Sequence, residues 1–208
     1  MKKIIFVFLI FFLFTNLNAT TDDKIYVENL IRNTTNKAIG ILNNKNFCEK
    51  EKKERIYKLL NPLFDFKIMS RLTIGRKVWS KMTEEQKKKF MELFKKRIRM
   101  VYLDRVTLKK VIVKIKPAIQ KKKKIIFVPV IFTSEGKDYS TLFKLWKSPN
   151  GWKIYDVEIE GVSIIRTYKS QFNEILKKGT IEDLLKKLET SKWESITIRE
   201  LSFLTDLY

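Results

Sequence analysis

The sequence predicts an α+β fold in which several helices gather on one face of a curled, four-stranded antiparallel sheet. Apolar residues recur at helical spacing up to Tyr102, alternate at period two between Val111 and Glu160, and return to helical spacing from Ile164. Segregated blocks of this kind are the mark of helices and strands in separate layers. The stretches between the strand segments, Lys121–Lys124, Ser134–Lys137 and Ser148–Gly151, are short and turn-like, which suits an antiparallel meander. With 208 residues, 44% of them apolar, the chain can bury one sizeable core.

At the N-terminus Lys2 and Lys3 precede the apolar run Ile4–Phe14, and Asn18-Ala19 supplies a small residue for a signal peptidase. Residues 1–19 therefore read as a secretory signal peptide, followed by a single domain over 20–190 and a C-terminal tail over 191–208. The apolar run is too short for a hydrocarbon core that needs about 20 residues. An uncleaved inner-membrane anchor is the alternative, because Leu17 is an imperfect residue three positions before the cut.

Thr21–Asn44 carries Val27, Leu30, Ile31, Ala38, Ile41 and Leu42 on one helical face. A charged helix follows over Glu49–Leu60, stopped near Pro62, and a more apolar one over Leu63–Leu72. Thr83-Glu84-Glu85-Gln86 has the form of a capping box and opens a long helix with the stripe Phe90, Phe94, Ile98, Val101 and Tyr102. Four strands come next: Val111–Ile115; Ile125–Phe132; Tyr139–Trp146 with Tyr139, Thr141, Phe143 and Leu145 on one side; and Trp152–Glu160 with Tyr155, Val157 and Ile159 alternating with acids. Pro129 lacks a ladder donor, so the second strand should be an edge strand or carry a bulge there. Gly161 stops the fourth strand, Ser163 is placed to cap a helix over Ile164–Lys178, and Gly179-Thr180 separates it from a last helix through Leu184, Leu185 and Leu188. The tail holds Trp193, Ile196, Ile198, Leu201, Phe203, Leu204 and Leu207, an amphipathic set that either packs on the body or docks elsewhere.

The formal charge is +21, and removal of residues 1–19 takes two lysines and no acid, leaving +19. Such a balance favours anionic membrane surfaces, nucleic acid or acidic proteins, unless the lysines simply solvate the surface. Export and the even spread of lysines argue against nucleic acid. The chain has no histidine, which removes Ser-His-Asp triads and the commonest metal ligand. No glycine-rich phosphate loop, paired-cysteine metal spacing or nucleophile elbow occurs. Cys48 is the only cysteine, so no intrachain disulfide forms; it is either buried or free to pair between chains. Asp156, Glu158 and Glu160 fall on one strand face, an arrangement that is either a solvated face beside lysines or a cation or acid-base site. Neither catalysis, metal nor cofactor is expected.

Two blocks resemble a known family. Trp152-Lys153-Ile154-Tyr155-Asp156-Val157, Glu160-Gly161-Val162-Ser163 and Tyr168-Lys169-Ser170-Gln171-Phe172 form one; Asp65-Phe66-Lys67-Ile68-Met69 with Gly75, Trp79, Thr83, Gln86 and Phe90–Phe94 forms the other. Together they resemble the MlaC, or toluene-tolerance auxiliary transport, family of periplasmic phospholipid-binding proteins of the Mla lipid-asymmetry pathway, over roughly Asp22–Leu188. Lys169 departs from the pattern, where the family usually has Arg.

The resemblance implies a periplasmic carrier, NTF2-like in shape, with phospholipid tails in a hydrophobic cavity between sheet and helices. It also implies exchange with an inner-membrane ABC lipid transporter complex and an outer-membrane lipoprotein complex, by a protein expected to be monomeric. On that reading Ile68, Leu72, Phe90, Phe94, Val101, Val128, Val130, Tyr139, Phe143, Tyr155, Val157 and Ile164 would contact lipid. Lys67, Arg71, Arg76 and Lys169 would meet the head group or a partner. A carrier of another hydrophobic solute and a ligand-free docking protein are the alternatives.

Overall fold

A computed structural model of the protein describes residues 2–103, 111–134 and 136–190, with side chains from residue 22 to 101 and through the later segments. The tail 191–208 and Glu135 of the second turn lie outside the described residues. Helix α1 (Lys2–Asn43) is followed by α2 (Glu49–Leu60), a 3-10 turn over Asn61–Leu63, α3 (Phe66–Ile74), α4 (Arg76–Trp79) and α5 (Glu84–Ile98), which ends in π-helical turns over Arg99–Leu103. Helices α6 (Ile164–Leu176) and α7 (Ile181–Glu189) close the described chain.

The caps explain where these helices begin. Gln86 N donates to Thr83 Oγ1 at 3.2 Å while Thr83 N donates to Gln86 Oε1 at 2.8 Å, the reciprocal pair that satisfies two free amides at the start of α5. The helix expected from Leu63 starts instead at Phe66, because Pro62 sits in the preceding turn and Asp65 accepts from Ile68 N at 3.0 Å. The other Asp65 oxygen accepts from Trp146 Nε1 at 3.1 Å and Asp65 N donates to Ile154 O at 2.9 Å, so one residue both caps α3 and ties it to the sheet. Gly75, at φ +82°, ends α3 in a conformation that side chains with a Cβ disfavour. Cys48 is exposed at the N-cap of α2, not buried, because the short link from α1 runs over the surface.

The sheet has six strands and is open, which corrects the expected four. They are β1 (Ile112–Ile115), β2 (Ile119–Lys122), β3 (Ile125–Ser134), β4 (Lys137–Ser148), β5 (Gly151–Ile159) and β6 (Val162–Ser163), all paired antiparallel. Strands β1 and β2 share one edge of β3, β1 along its second half and β2 along its first. Expected as a connection, Lys121–Lys124 belongs in part to β2, and only Lys123 and Lys124 form the turn. Strand β6 arises because Glu160 (φ 48°) and Gly161 (φ 79°) make a two-residue hairpin turn with both φ angles positive.

Pro129 is neither on an edge strand nor at a bulge, since β4 pairs it on one side and the β1–β2 connection lies on the other. Its carbonyl accepts from Lys116 N at 2.9 Å, so its ring nitrogen faces the same way, toward the break at Lys116–Ala118 where the ladder is already interrupted.

One face of the sheet looks into the molecule. Cross-strand register puts Ile126, Val128, Val130 and Phe132 of β3 opposite Leu145, Phe143, Thr141 and Tyr139 of β4, and β5 adds Ile154, Val157 and Ile159. The expected alternation in β5 breaks at Tyr155: Leu145 pairs with Ile154 but Lys144 with Asp156, leaving Tyr155 as the extra residue of a bulge. The bulge resets the pleat, so Trp152 and Ile154 join Val157 and Ile159 on the buried side.

Asp156, on the opposite face beside Lys144, is buried by the start of α6. Its carboxylate accepts from Ser163 Oγ (2.7 Å), Ile165 N (3.1 Å) and Lys144 Nζ (3.0 Å), and Ser163 Oγ in turn accepts from Arg166 N (3.1 Å). The strand thereby fixes the start of α6. Lys144 also donates to Glu158 at 2.7 Å. Burial works to lower the pKa of Lys144, but its bonds to Glu158 and Asp156 outweigh that and hold it above the usual lysine range.

Candidate functional site

The helices and the buried face of the sheet do not meet everywhere. Between α1, α2, α3, the end of α5 and strands β3 to β5 lies an apolar cavity of about 270 Å³. Each wall follows from local periodicity. Ile31, Thr34, Thr35, Ala38 and Leu42 repeat at three to four residues along one side of α1; Ile56, Tyr57 and Leu60 do the same on α2. Leu63, Phe64, Phe66 and Met69 form the end next to the Asp65 cap, while Phe132, Tyr139, Thr141, Phe143, Ile154, Val157 and Ile159 form the sheet wall.

The space persists because the central α1 residues facing it, between Ile31 and Leu42, are small. Thr34, Thr35 and Ala38 stand where a leucine or phenylalanine would close the gap. Helix α2 contributes a wall without burying any residue fully, so it is the most weakly anchored side of the cavity.

Among the described residues two cations line the cavity, Lys95 and Arg99, one helical turn apart at the end of α5. Arg99 pairs with Glu54 at 2.6 Å, and its guanidinium lies 4.2 Å from the centroid of the Tyr57 ring. The Lys95 ammonium lies 5.9 Å from the Tyr57 centroid and 5.6 Å from that of Phe66. Among the described residues Lys95 has no carboxylate within ion-pair distance, so a positive group stands over the aromatic rim of an apolar space.

Of the twelve residues expected to contact a lipid, the cavity gathers Tyr139, Phe143, Val157 and Ile164. The remaining eight lie elsewhere. Phe90 and Phe94 pack with Tyr168 and Phe172 of α6, at ring-centroid separations of 5.5 Å (Phe90–Phe172) and 5.2 Å (Phe94–Tyr168), filling the volume between α5 and α6. Val101, Val128 and Val130 are buried core residues, Tyr155 is the bulge residue, Ile68 is half-buried outside the lining, and Leu72 is exposed. Lys67, Arg71, Arg76 and Lys169 are all exposed and none lines the cavity. The contribution of α2 and the pair Lys95/Arg99 were missed. Spacing of Ile56, Tyr57 and Leu60 could have signalled the first, but nothing local distinguishes Lys95 and Arg99 from the other cations of α5.

The carboxylates suspected of forming a site are engaged structurally: Lys144 bridges Asp156 and Glu158, and Glu160 accepts from Ser140 N. No cluster of residues suited to a metal ion occurs among the described residues.

Comparison with known proteins places this architecture. The family model described as MlaC protein matches residues 32–190. The chain belongs to the MlaC family. That match begins within α1, one residue after Ile31, and ends just past α7, so it covers part of every cavity wall and every lining residue except Ile31. Among solved structures, the phospholipid-binding protein from Ralstonia solanacearum, determined in complex with a phospholipid, is similar at a TM-score of 0.68 and 24% identity, covering 78% of this chain and 94% of that one. At that identity the likeness shows a shared fold. A search of curated proteins gives no match. Among the described residues no helix is long and apolar enough to cross a membrane.

Proposed function

We propose that this MlaC-family protein is a non-catalytic, periplasmic phospholipid carrier that receives and delivers lipid at membrane-bound complexes. The observation that carries the reading is the unfilled apolar cavity with Lys95 and Arg99 at its edge, in a fold similar to that of a protein solved with a phospholipid. Acyl tails fill the space between α1, α2 and the sheet, and the two cations meet the phosphate. The signal-like segment 1–19 supports export, and the domain over 20–190 does the binding. Partners consistent with the family are an inner-membrane ABC lipid transporter complex and an outer-membrane lipoprotein complex.

The energetics ask for a cavity that opens. Two acyl chains carry roughly 30 methylenes, whose transfer from water is worth on the order of 20 kcal/mol at about 0.8 kcal/mol each. A carrier that kept that much would never release its load. Exchange with a bilayer is nearly neutral only if opening the cavity offsets what the tails gain beyond their membrane environment. The cavity volume of about 270 Å³ lies at the small end of ligand sites. A diacyl lipid therefore enters as α2, the wall with no fully buried residue, moves outward.

The small volume also favours a second reading, a carrier of a smaller hydrophobic solute. Extraction of protein purified without detergent, followed by mass spectrometry, separates the two. Ala38→Trp projects a large ring from α1 into the cavity and is expected to lower the bound lipid about tenfold while leaving the fold intact. Unchanged lipid content in that variant would defeat the assignment of the cavity as the tail site.

A further inference from the structure

From Val111 to Ser134 the chain carries six lysines, no arginine and no acidic residue. The fold concentrates them. Ile112 and Lys114 of β1, Ile119 of β2 and Phe127 of β3 share the face of the sheet turned away from the cavity, because Ile119 pairs with Phe127 and Ile112 with Thr133. On this face Ile112 is 69% and Ile119 43% exposed. Lys121 reaches over the Phe127 ring at 5.7 Å, and Lys122, Lys123 and Lys124 complete the exposed tip of the β2–β3 hairpin. Among the described residues none of these lysines has a carboxylate within ion-pair distance, unlike Lys144 and Lys147 on the neighbouring strand.

We propose that the β2–β3 hairpin, with the outward face of β1, is the surface by which the protein docks on an anionic phospholipid bilayer. Charge complementarity and side-chain chemistry select this occupant. Lysine is a flexible point charge that is depleted from protein interfaces, where arginine is enriched for its fixed bidentate geometry. A surface with lysine alone suits phosphates that move laterally and have no fixed register. Isoleucines between the lysines can enter the interfacial layer while the ammonium groups stay at head-group level. The backbone of the tip is joined to β4 through Lys147 N and Lys124 O at 3.0 Å, so the charges are carried on a braced hairpin and not on a loose loop.

The choice of partner rests on the carrier reading, but its readout is vesicle binding and not lipid content, so either can fail alone. The test is flotation of the full chain with vesicles of phosphatidylcholine containing phosphatidylglycerol, against vesicles of phosphatidylcholine only. The variant Lys121→Glu/Lys122→Glu/Lys123→Glu is compared with an equal reversal on α6–α7, Lys178→Glu/Lys186→Glu/Lys187→Glu, and all chains share the same N-terminus. The expected result is a preference for anionic vesicles that falls about tenfold or more in the hairpin variant, persists in the helical variant, and disappears in about 0.5 M salt. Ile112→Ser with Ile119→Ser is expected to weaken binding without changing its salt dependence. Equal losses in both charge variants would reduce the effect to net charge and overturn the proposal. So would the absence of any preference for anionic vesicles, or a hairpin that binds soluble polyglutamate but no vesicle, which would indicate an acidic protein partner.

Discussion

The two ends of the helical layer solve the same packing problem in opposite ways. Where α5 meets α6, Phe90, Phe94, Tyr168 and Phe172 stack in mutual contact and close the interior; where α1 and α2 face the sheet, Thr34, Thr35 and Ala38 leave it open. All of these elements are amphipathic, so periodicity does not decide which region is hollow. The size of the residues facing one another decides it. The dense end gives the domain its rigidity, and the open end can then remain a cavity without collapsing.

That contrast can be broken most forcefully at the dense end. Phe94→Ala removes a fully buried ring from the four-ring cluster and is expected to cost about 3–5 kcal/mol, measured by urea or thermal unfolding. A loss well under 1 kcal/mol would mean that this region is not the rigid half.

Asp156→Ala is next in size. It removes the acceptor that holds Ser163 Oγ, the Ile165 amide of α6 and Lys144, and is expected to cost about 3 kcal/mol. Because Ile164 lines the cavity immediately after that cap, lipid content should fall together with stability; a variant that loses stability alone would separate the two regions more completely than the geometry implies.

Tyr168 offers a pH test of the same dense cluster. Burial raises its phenol to about 12, partly opposed by the Arg97 charge nearby. The unfolded chain ionises near 10 while the folded chain resists, so the stability this group contributes is full below about pH 10 and is lost on rising to about 12. The loss amounts to roughly 2–3 kcal/mol. Tyr168→Phe should flatten that alkaline decline, and parallel decline in both proteins would place the phenol in a wetter setting than the core. The smallest stability effect is expected at the open end, where Ala38→Trp should shift unfolding by less than about 1 kcal/mol while displacing lipid.

Much of the fold was legible because its signals are local. The Thr83–Gln86 box, the Ser163 cap and the alternation of Tyr139, Thr141, Phe143 and Leu145 each rest on residues within a few positions of one another. The bulge at Tyr155 was not legible, because apolar residues at 155, 157 and 159 mimic an unbroken strand and the extra residue shows only in pairing with β4. Short β2 and β6 were hidden for a related reason: each is stabilised by its partner strand more than by its own composition.

The cavity residues were legible only in part. Tyr139, Phe143, Val157 and Ile164 follow from strand faces and the start of α6, whereas Phe90 and Phe94 had the same helical spacing as a cavity wall and became core because α6 presents aromatics against them. The pairing of α5 with α6, and of α2 with the open side, is long-range information that no window of sequence carries.

The most direct test of the central claim, that the open end holds lipid, is native mass spectrometry of protein purified without detergent, before and after extraction with organic solvent. The account predicts a bound mass that extraction removes and that phospholipid analysis identifies. An identical mass before and after extraction, from protein that remains folded, would contradict it.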